Sequence, residues 1–350
     1  ETLALDSSNP TEITVPDNTL LRINIDENVQ KIDLYLSNAY TSRVIFHGSA
    51  GQFLNISIKT AERNQTNEEV DVRYDENLLT SCVTFIDTIF AGGSIKMIGG
   101  GCEDSVNFIR SKGHIDNISI RDAAFDGIDI DFSKLSIKSL DIQNAGNDCI
   151  DLSSGEYNFH YINAKKCGDK IISIGEKSRV AINNGTLSDG YTGIAVKDSS
   201  IAYVDKIGML RIEDACLSAY RKKQEFNGGS LIGRDISCEG SSAMYSDNES
   251  SVSIDRDDTC LYLGSFEAIY YCISRKNISF GDKSCKHLKR MNLNLSLKLR
   301  DSFNMENQVE DTLINMNNQK TNDCKIEYKF PVSQNEIDSI VITELAENGS

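Results

Sequence analysis

Six segments of the chain align without gaps: DSVNFI (104–109), DGIDID (126–131), DCIDLS (148–153), KIISIG (170–175), TGIAVK (192–197) and ACLSAY (215–220). The first five begin 22 residues apart, and the sixth begins 23 residues after the fifth. A fixed period of this length is typical of repeat architectures, in which each repeat is one unit of a stack. The period therefore predicts a solenoid whose turns, or rungs, are about 22 residues long.

Apolar and polar residues alternate within each segment, as expected for a strand that is buried on one face. The predicted inward pairs are Val106/Phe108, Ile128/Ile130, Ile150/Leu152, Ile172/Ile174, Ile194/Val196 and Leu217/Ala219. A second apolar stretch recurs in each rung, at Ile118/Ile120, Leu140/Ile142, Ile162/Ala164 and Val180/Ile182. Stacked rungs would join these residues into one core. The sequence thus predicts an all-β fold, a right-handed parallel β-helix solenoid.

The repeat is less regular outside the centre of the chain. We expect an N-terminal cap and irregular first rungs over 1–100, regular rungs over 101–255, and a C-terminal cap or small β-rich domain over 256–350. Alternating N-terminal stretches predict strands at Glu12–Val15, Leu20–Ile25, Lys31–Leu36, Arg43–His47 and Phe53–Lys59. Caps are expected because an exposed strand edge invites aggregation.

The overall charge narrows the classes of partner. A net charge of −16 argues against nucleic acid, because phosphate binding requires a basic surface. It also argues against docking on an anionic membrane. No apolar run approaches the roughly 20 residues of a spanning helix, so membrane insertion is not expected.

Ten cysteines occur without the paired spacing of a zinc site. They predict disulfides, and hence a secreted or cell-surface protein in the periplasm or outside the cell. The alternative for Cys149 and Cys167 is a role as small buried hydrophobic residues. The chain starts at Glu1 without a leader, which fits a removed signal peptide or a trimmed sequence.

The repeat also predicts which polar side chains stack on the outside, about 4.8 Å apart. One outward column contains Asn107, Asp129, Asp151, Ser173, Ala195 and Ser218, and the next contains Ile109, Asp131, Ser153, Gly175, Lys197 and Tyr220. Asp126, Asp148 and Lys170 stack where the strands begin. Carboxylates this close raise one another's pKa or bind a cation. Acid/base catalysis, calcium held by Asp129, Asp131 and Asp151, and a purely structural ladder all fit this pattern.

Four of these stretches, FDGIDID (125–131), GNDCIDL (146–152), GDKIISIG (168–175) and GIAVKD (193–198), resemble the motifs NTDGID, GDDCIAI, GHGISIG and RIK of polygalacturonases. The resemblance covers about 75 residues and implies a β-helix. It places Asp126 and Asp148 where that family activates water and Lys197 at the lysine of RIK. The general acid of the family is replaced by Asn147, its histidine by Lys170 and its arginine by Ala195. An amide cannot protonate a leaving group, so another acid, such as Asp129 or Asp151, would have to replace it.

The stretches GDKIISIGEKS (168–178), GIAVKDSS (193–200) and AYRKKQEF (219–226) are more similar to secreted bacterial β-helix proteins, some of which are associated with CotH-kinase or lamin-tail domains. That resemblance implies paired acids and bases along adjacent rungs, at Asp169-Lys170, Glu176-Lys177 and Lys197-Asp198. It implies no particular activity.

Two functions follow from these patterns. The first is a non-catalytic scaffold that binds a polysaccharide or a cell-surface protein, its oligomeric state left open. The alternative is a polysaccharide lyase or hydrolase, with calcium as an optional cofactor. Its candidate catalytic residues are Asp126, Asp148, Asp151, Lys170 and Lys197, and its candidate substrate-binding residues are Asn107, Asp129, Asp131, Glu176, Tyr220 and Lys222.

Overall fold

In the computed structural model, the described residues are 2–4, 11–63 and 73–254, together with seven strands after residue 257. These residues are all-β, with no helix among them, and those before residue 264 form a parallel β-solenoid of about 10 turns. The strands before residue 100 are Thr2–Ala4, Thr11–Val15, Leu20–Ile25, Lys31–Leu36, Arg43–Ala50, Asn55–Thr60, Ser81–Ile86, Ile89–Ala91 and Ser94–Ile98.

The central strands build the regular part of the solenoid. They are Asp104–Ile109, Lys112–Ala123, Asp126–Asp131, Lys134–Ala145, Ile150–Ser153, Glu156–Phe159, Ile162–Gly175, Arg179–Ile182, Gly185–Lys197, Ile201–Tyr220, Ser230–Ser246 and Ser251–Ile254. Ile128 pairs with Ile150, Ile150 with Ile172, and Ile172 with Ile194, each 22 residues on, and Ile194 pairs with Leu217 after 23. The predicted period and its one-residue extension are both confirmed.

Each rung has three faces, whereas the apolar pattern indicated only two strands per rung. The first face contains 104–109 and its repeats, the second contains 112–115, 134–137, 156–159 and 179–182, and the third contains 117–121 and its repeats. The assignment of Val180/Ile182 to the same stack as Ile162/Ala164 is therefore wrong. Val180 and Ile182 stack on Tyr157 and Phe159 of the second face, while Ile162 and Ala164 pair with Gly185 and Leu187.

A tight corner joins the first face to the second in every rung. A residue with positive φ occupies the corner in six successive rungs: Asp87, Arg110, Phe132, Ser154, Glu176 and Asp198. In the last two of these rungs the next residue, Lys177 or Ser199, has positive φ as well. Buried serines follow several of these residues and stack on one another. Ser111 N donates to Ser133 Oγ at 2.9 Å, and Ser178 N donates to Ser200 Oγ at 3.1 Å. The hydroxyl column thus satisfies backbone groups that the corner removes from the strand ladders.

The core is the continuous stack of inward side chains that the sequence predicted. Val106, Phe108, Ile128, Ile130, Ile150 and Leu152 are all fully buried. Near the N-terminal end, Phe46, Phe85 and Phe108 form a ring stack on three successive rungs, with centroids 4.8 Å apart at each step. The strands before residue 100 belong to the same parallel stack, since Leu20–Ile25 pairs with Arg43–Gly48 and Val44–Phe46 pairs with Val83–Phe85.

Among the residues whose side chains the structure describes, three disulfides link cysteines about one rung apart: Cys82–Cys102, Cys149–Cys167 and Cys216–Cys238. The alternative that Cys149 and Cys167 are free buried thiols is therefore wrong. Cys149–Cys167 closes a loop over a separation of 18 residues, and loop-closure entropy gives such a bond about 3 kcal/mol of stabilisation. The disulfides fit a non-cytoplasmic, oxidising location.

Strand Asp258–Leu263 still pairs in parallel with Ser230–Ser246, and the pairing beyond it becomes antiparallel. Strand Asp258–Leu263 pairs with Ile269–Ser274, which pairs with Asn277–Asp282, which pairs with Lys325–Lys329. Leu293–Leu299 forms a separate sheet with Thr312–Ile314 and Ile337–Glu344. Much of the predicted cap over 256–350 lies outside the described residues. Within the described residues, no helix is long and apolar enough to cross a membrane.

Candidate functional site

The register of the first face brings the predicted acidic residues together. Asn107, Asp129 and Asp151 pair in one column, while Asp104 is paired with Asp126 where the strands begin. We call the following group the acidic face: Asp104, Asn107, Asp126, Asp129, Asp131, Asp148 and Asp151. Asp104 was missed as a site residue, although its position at the start of DSVNFI matches Asp126 and Asp148. The face spans three rungs, with about 4.8 Å between neighbouring rungs.

Asp126 and Asp148 bind the backbone of the next rung. Asp126 Oδ1 accepts hydrogen bonds from Asp148 N at 2.8 Å and from Asn147 Nδ2 at 2.7 Å. Asp148 Oδ1 accepts from Lys170 N at 2.8 Å. Both side chains are buried. The two carboxyls that the polygalacturonase resemblance assigned to water activation therefore fix the corner between consecutive rungs.

Burial beside other acids raises the pKa of several carboxyls on this face. Desolvation, followed by the charges of Asp148 and Asp104, raises the pKa of Asp126 to about 8. Desolvation raises the pKa of Asp104 to about 7, against a hydrogen bond from Thr80. Desolvation likewise raises the pKa of Asp129 and Asp131. Part of this face therefore keeps its protons at neutral pH, and a protonated carboxyl donates as well as accepts hydrogen bonds.

Asn107 connects the two outward columns. Its Nδ2 donates to Asp129 Oδ2 at 2.9 Å and to Asp131 Oδ2 at 3.3 Å. Its own Oδ1 and the Oδ2 of Asp104 are buried without a hydrogen-bond partner among the described residues. An unpaired buried carboxylate oxygen is costly, which explains why protonation of Asp104 is favoured.

The predicted calcium ligands Asp129, Asp131 and Asp151 lie on two adjacent rungs. In the part of the chain that the structure describes, no group of three or more His, Cys, Asp or Glu side chains is arranged to hold a metal ion. Hard cations such as calcium need six or more oxygen ligands that converge on one point. Calcium binding at these residues stays a prediction.

The two lysines proposed as bases are engaged with other side chains. Lys170 Nζ forms an ion pair with Asp169 and lies 3.6 Å from Asp148 Oδ1. Burial alone would lower the pKa of Lys170, but its hydrogen bond to Asp169 and the nearby charges of Asp148 and Asp169 raise it. Lys197 is buried, and its Nζ donates to Ser173 Oγ at 2.7 Å. Lys170 therefore holds its proton at neutral pH, which a general base cannot do.

The loop over residues 221–229 borders the C-terminal end of the first face. The buried Asp198 anchors it, because Asp198 Oδ1 accepts from Lys222 N at 2.7 Å and from Lys223 N at 2.8 Å. Lys223 forms an ion pair with Glu176. Of the predicted ligand-binding residues, Glu176 thus holds this loop, while the Lys222 side chain is exposed.

Exposed aromatic rings lie next to several first-face strands, and sequence reasoning missed most of them. Phe125 and Tyr191 precede the first-face strand in their rungs and are 42% and 49% exposed. Backbone hydrogen bonds join the residues at this position in successive rungs. Asn147 N donates to Phe125 O and Asp169 N donates to Asn147 O, both at 3.1 Å. At the C-terminal end, the predicted Tyr220 packs against Tyr245, with ring centroids 6.5 Å apart. The signal was available, since positions 125, 147, 169 and 191 follow the 22-residue period.

Comparison with known proteins finds no matching family model, no matching curated protein and no matching solved structure.

Proposed function

We propose that this protein is an extracellular β-solenoid that binds a carbohydrate on its acidic face without cleaving it. The observation that carries the proposal is the exposed Phe125 ring, which directly precedes Asp126 of the acidic face, together with a second exposed ring, Tyr191, three rungs further along the same column. Sugars present polar hydroxyls at their edges and apolar C–H groups on their faces. On a surface with both rings and acids, the acids can bind the hydroxyls and the rings can pack on the C–H faces.

The protonation state of the face supports binding of neutral sugars. A row of fully ionised carboxylates would accept hydrogen bonds only, and it would repel anionic ligands. Raised pKa values at the half-buried, outward Asp129 and Asp131 favour their protonated forms and so make this row a mixture of hydrogen-bond donors and acceptors. Hydroxyl groups, which donate and accept, match such a mixture.

The hydrogen bonds of the acidic face support a non-catalytic role. Asp126 and Asp148 hold backbone amides, and Lys170 is ion-paired and charged. Asn147 stands where the polygalacturonase resemblance expects a proton donor, and it donates to Asp126 instead. A group that already bonds the scaffold loses those bonds if it moves to a substrate, which costs stability.

One observation favours the alternative, a polysaccharide-processing enzyme. Asp126, with a pKa of about 8, lies close enough to Asp151 that the charge of Asp151 contributes to the shift. A protonated acid beside a second carboxyl is the arrangement that glycoside hydrolysis uses. A carbohydrate ligand that is cut rather than only bound would support this alternative.

A glycan array and titration of its hits test the proposal. We expect wild-type protein to bind neutral glycans, and Phe125→Ala or Tyr191→Ala to weaken binding about tenfold, because each removes one stacking surface. Tyr161→Ala is the matched control, since Tyr161 is 41% exposed but precedes a third-face strand. Equal loss in all three variants, or no glycan binding by the wild type, would exclude this function.

A further inference from the structure

A groove runs along the second face, away from the acidic face. Its volume is about 760 Å³, and its lining extends from Ile89 to Tyr203. Those two residues lie five rungs apart, so the groove is about 24 Å long. It is therefore long enough for an extended polymer to lie along the solenoid axis.

The groove is a basic strip on an acidic protein. Its outward lining includes Lys112, Lys134 and Arg179 against a single acid, Glu156. Lys134 Nζ pairs with Glu156 Oε2 at 2.6 Å, while Lys112 and Arg179 form no ion pair with any described residue. The chain as a whole has a net charge of −16. Glu156 lies between Lys134 and Arg179 on adjacent rungs, so three cations against one acid leave a surplus of two positive charges, which favours an anionic ligand.

The floor of the groove favours a glycan over an extended peptide. Ser136 and Asn158 lie two residues after Lys134 and Glu156 and line the groove with small polar side chains. Tyr203, at one end of the groove, is 55% exposed. The strand 134–137 is paired on both sides, with 112–115 and 156–159. Its backbone therefore has no free edge to which a peptide could add as a strand.

From this arrangement we propose that the second-face groove binds a linear glycan bearing carboxylate groups. Arg179 and Lys112 pair with the carboxylates, since a guanidinium matches a carboxylate in a two-point contact. Ser136 and Asn158 bond hydroxyls, and the Tyr203 ring packs on a sugar face. This groove is independent of the acidic face, whose ligand we expect to be neutral.

Titration of the full chain with alginate, a linear uronate polymer, tests the proposal. We expect wild-type protein to bind, with weaker binding as salt is raised. The double variant Lys112→Glu/Arg179→Glu should bind at least about tenfold more weakly, because two attractions become repulsions. Tyr203→Ala should also bind more weakly, whereas Phe125→Ala should not. Circular dichroism of each variant checks that the solenoid is intact.

The matched control is Lys59→Glu/Lys96→Glu, which makes the same change in net charge at two exposed lysines of the third face. It should retain affinity within about threefold, because screening at ordinary ionic strength weakens charges on another face. An equal loss of alginate affinity in both double variants would mean that net charge alone explains the effect, and it would overturn the groove as the binding site. Absence of alginate binding would overturn it as well. Equally tight binding of poly-glutamate, unaffected by Tyr203→Ala, would exclude a glycan-specific groove.

Discussion

At pH 8, the variant Asp126→Asn is expected to be more stable than the wild type by about 3–5 kcal/mol, and at pH 4 the two should be equal. An unfolded aspartate ionises near pH 4, but folded Asp126 keeps its proton until about pH 8. Raising the pH between these values therefore favours the unfolded state. The stabilisation that protonated Asp126 contributes is fully present below about pH 4, decreases above that pH and is lost as the pH rises through about 8.

Asparagine imitates the protonated acid at this position. Its Oδ1 can still accept from Asp148 N and Asn147 Nδ2, so the corner between the rungs is preserved. Urea denaturation at several pH values measures the effect. The control is Asp122→Asn, an exposed acid outside the acidic face, which should change stability by less than about 0.5 kcal/mol at either pH. A wild type whose stability increases from pH 5 to pH 8 would contradict the burial of a protonated Asp126.

Phe85→Ala is expected to lower the free energy of unfolding by about 3–5 kcal/mol, because it opens a cavity in the middle of a ring stack. Phe85 is fully buried, stacks on Phe46 and Phe108, and meets the edge of Phe90 with centroids 5.5 Å apart. Each neighbouring rung loses a contact, since stacked repeats depend on their nearest neighbours.

The control for Phe85 is another phenylalanine of the same end of the solenoid. Phe53 is 70% exposed, so Phe53→Ala should cost less than about 1 kcal/mol. Urea unfolding followed by circular dichroism compares the two variants. A loss at Phe85 no greater than that at Phe53 would mean that this stack does not form.

The fold could be predicted because the solenoid repeats one physical pattern. Val106/Phe108 and Ile128/Ile130 alternate with polar residues, and a constant period allows only one register between them. The second face was missed because its strands contribute only two inward residues, such as Tyr157 and Phe159, which is too short for an alternation to be recognised. The misplaced pair Val180/Ile182 follows from that omission.

The residues of the acidic face were largely predicted, but the hydrogen bonds that their side chains make were not. The repeat places Asp126 and Asp148 one above the other, yet it cannot indicate that each carboxyl accepts the amide of the next rung. That contact depends on the geometry of the corner before each first-face strand. The aromatic border was missed for a different reason, since Phe125 and Tyr191 lie outside the aligned segments.

The distinction between binding and cleavage is tested most directly by the length of a bound glycan. Wild-type protein is incubated for hours with the glycan that it binds most tightly, and the chain-length distribution is measured by mass spectrometry, with Asp151→Asn as the comparison. We expect the glycan to remain bound and unchanged in length with both proteins. Shortened products that form with the wild type and not with Asp151→Asn would contradict a non-catalytic acidic face.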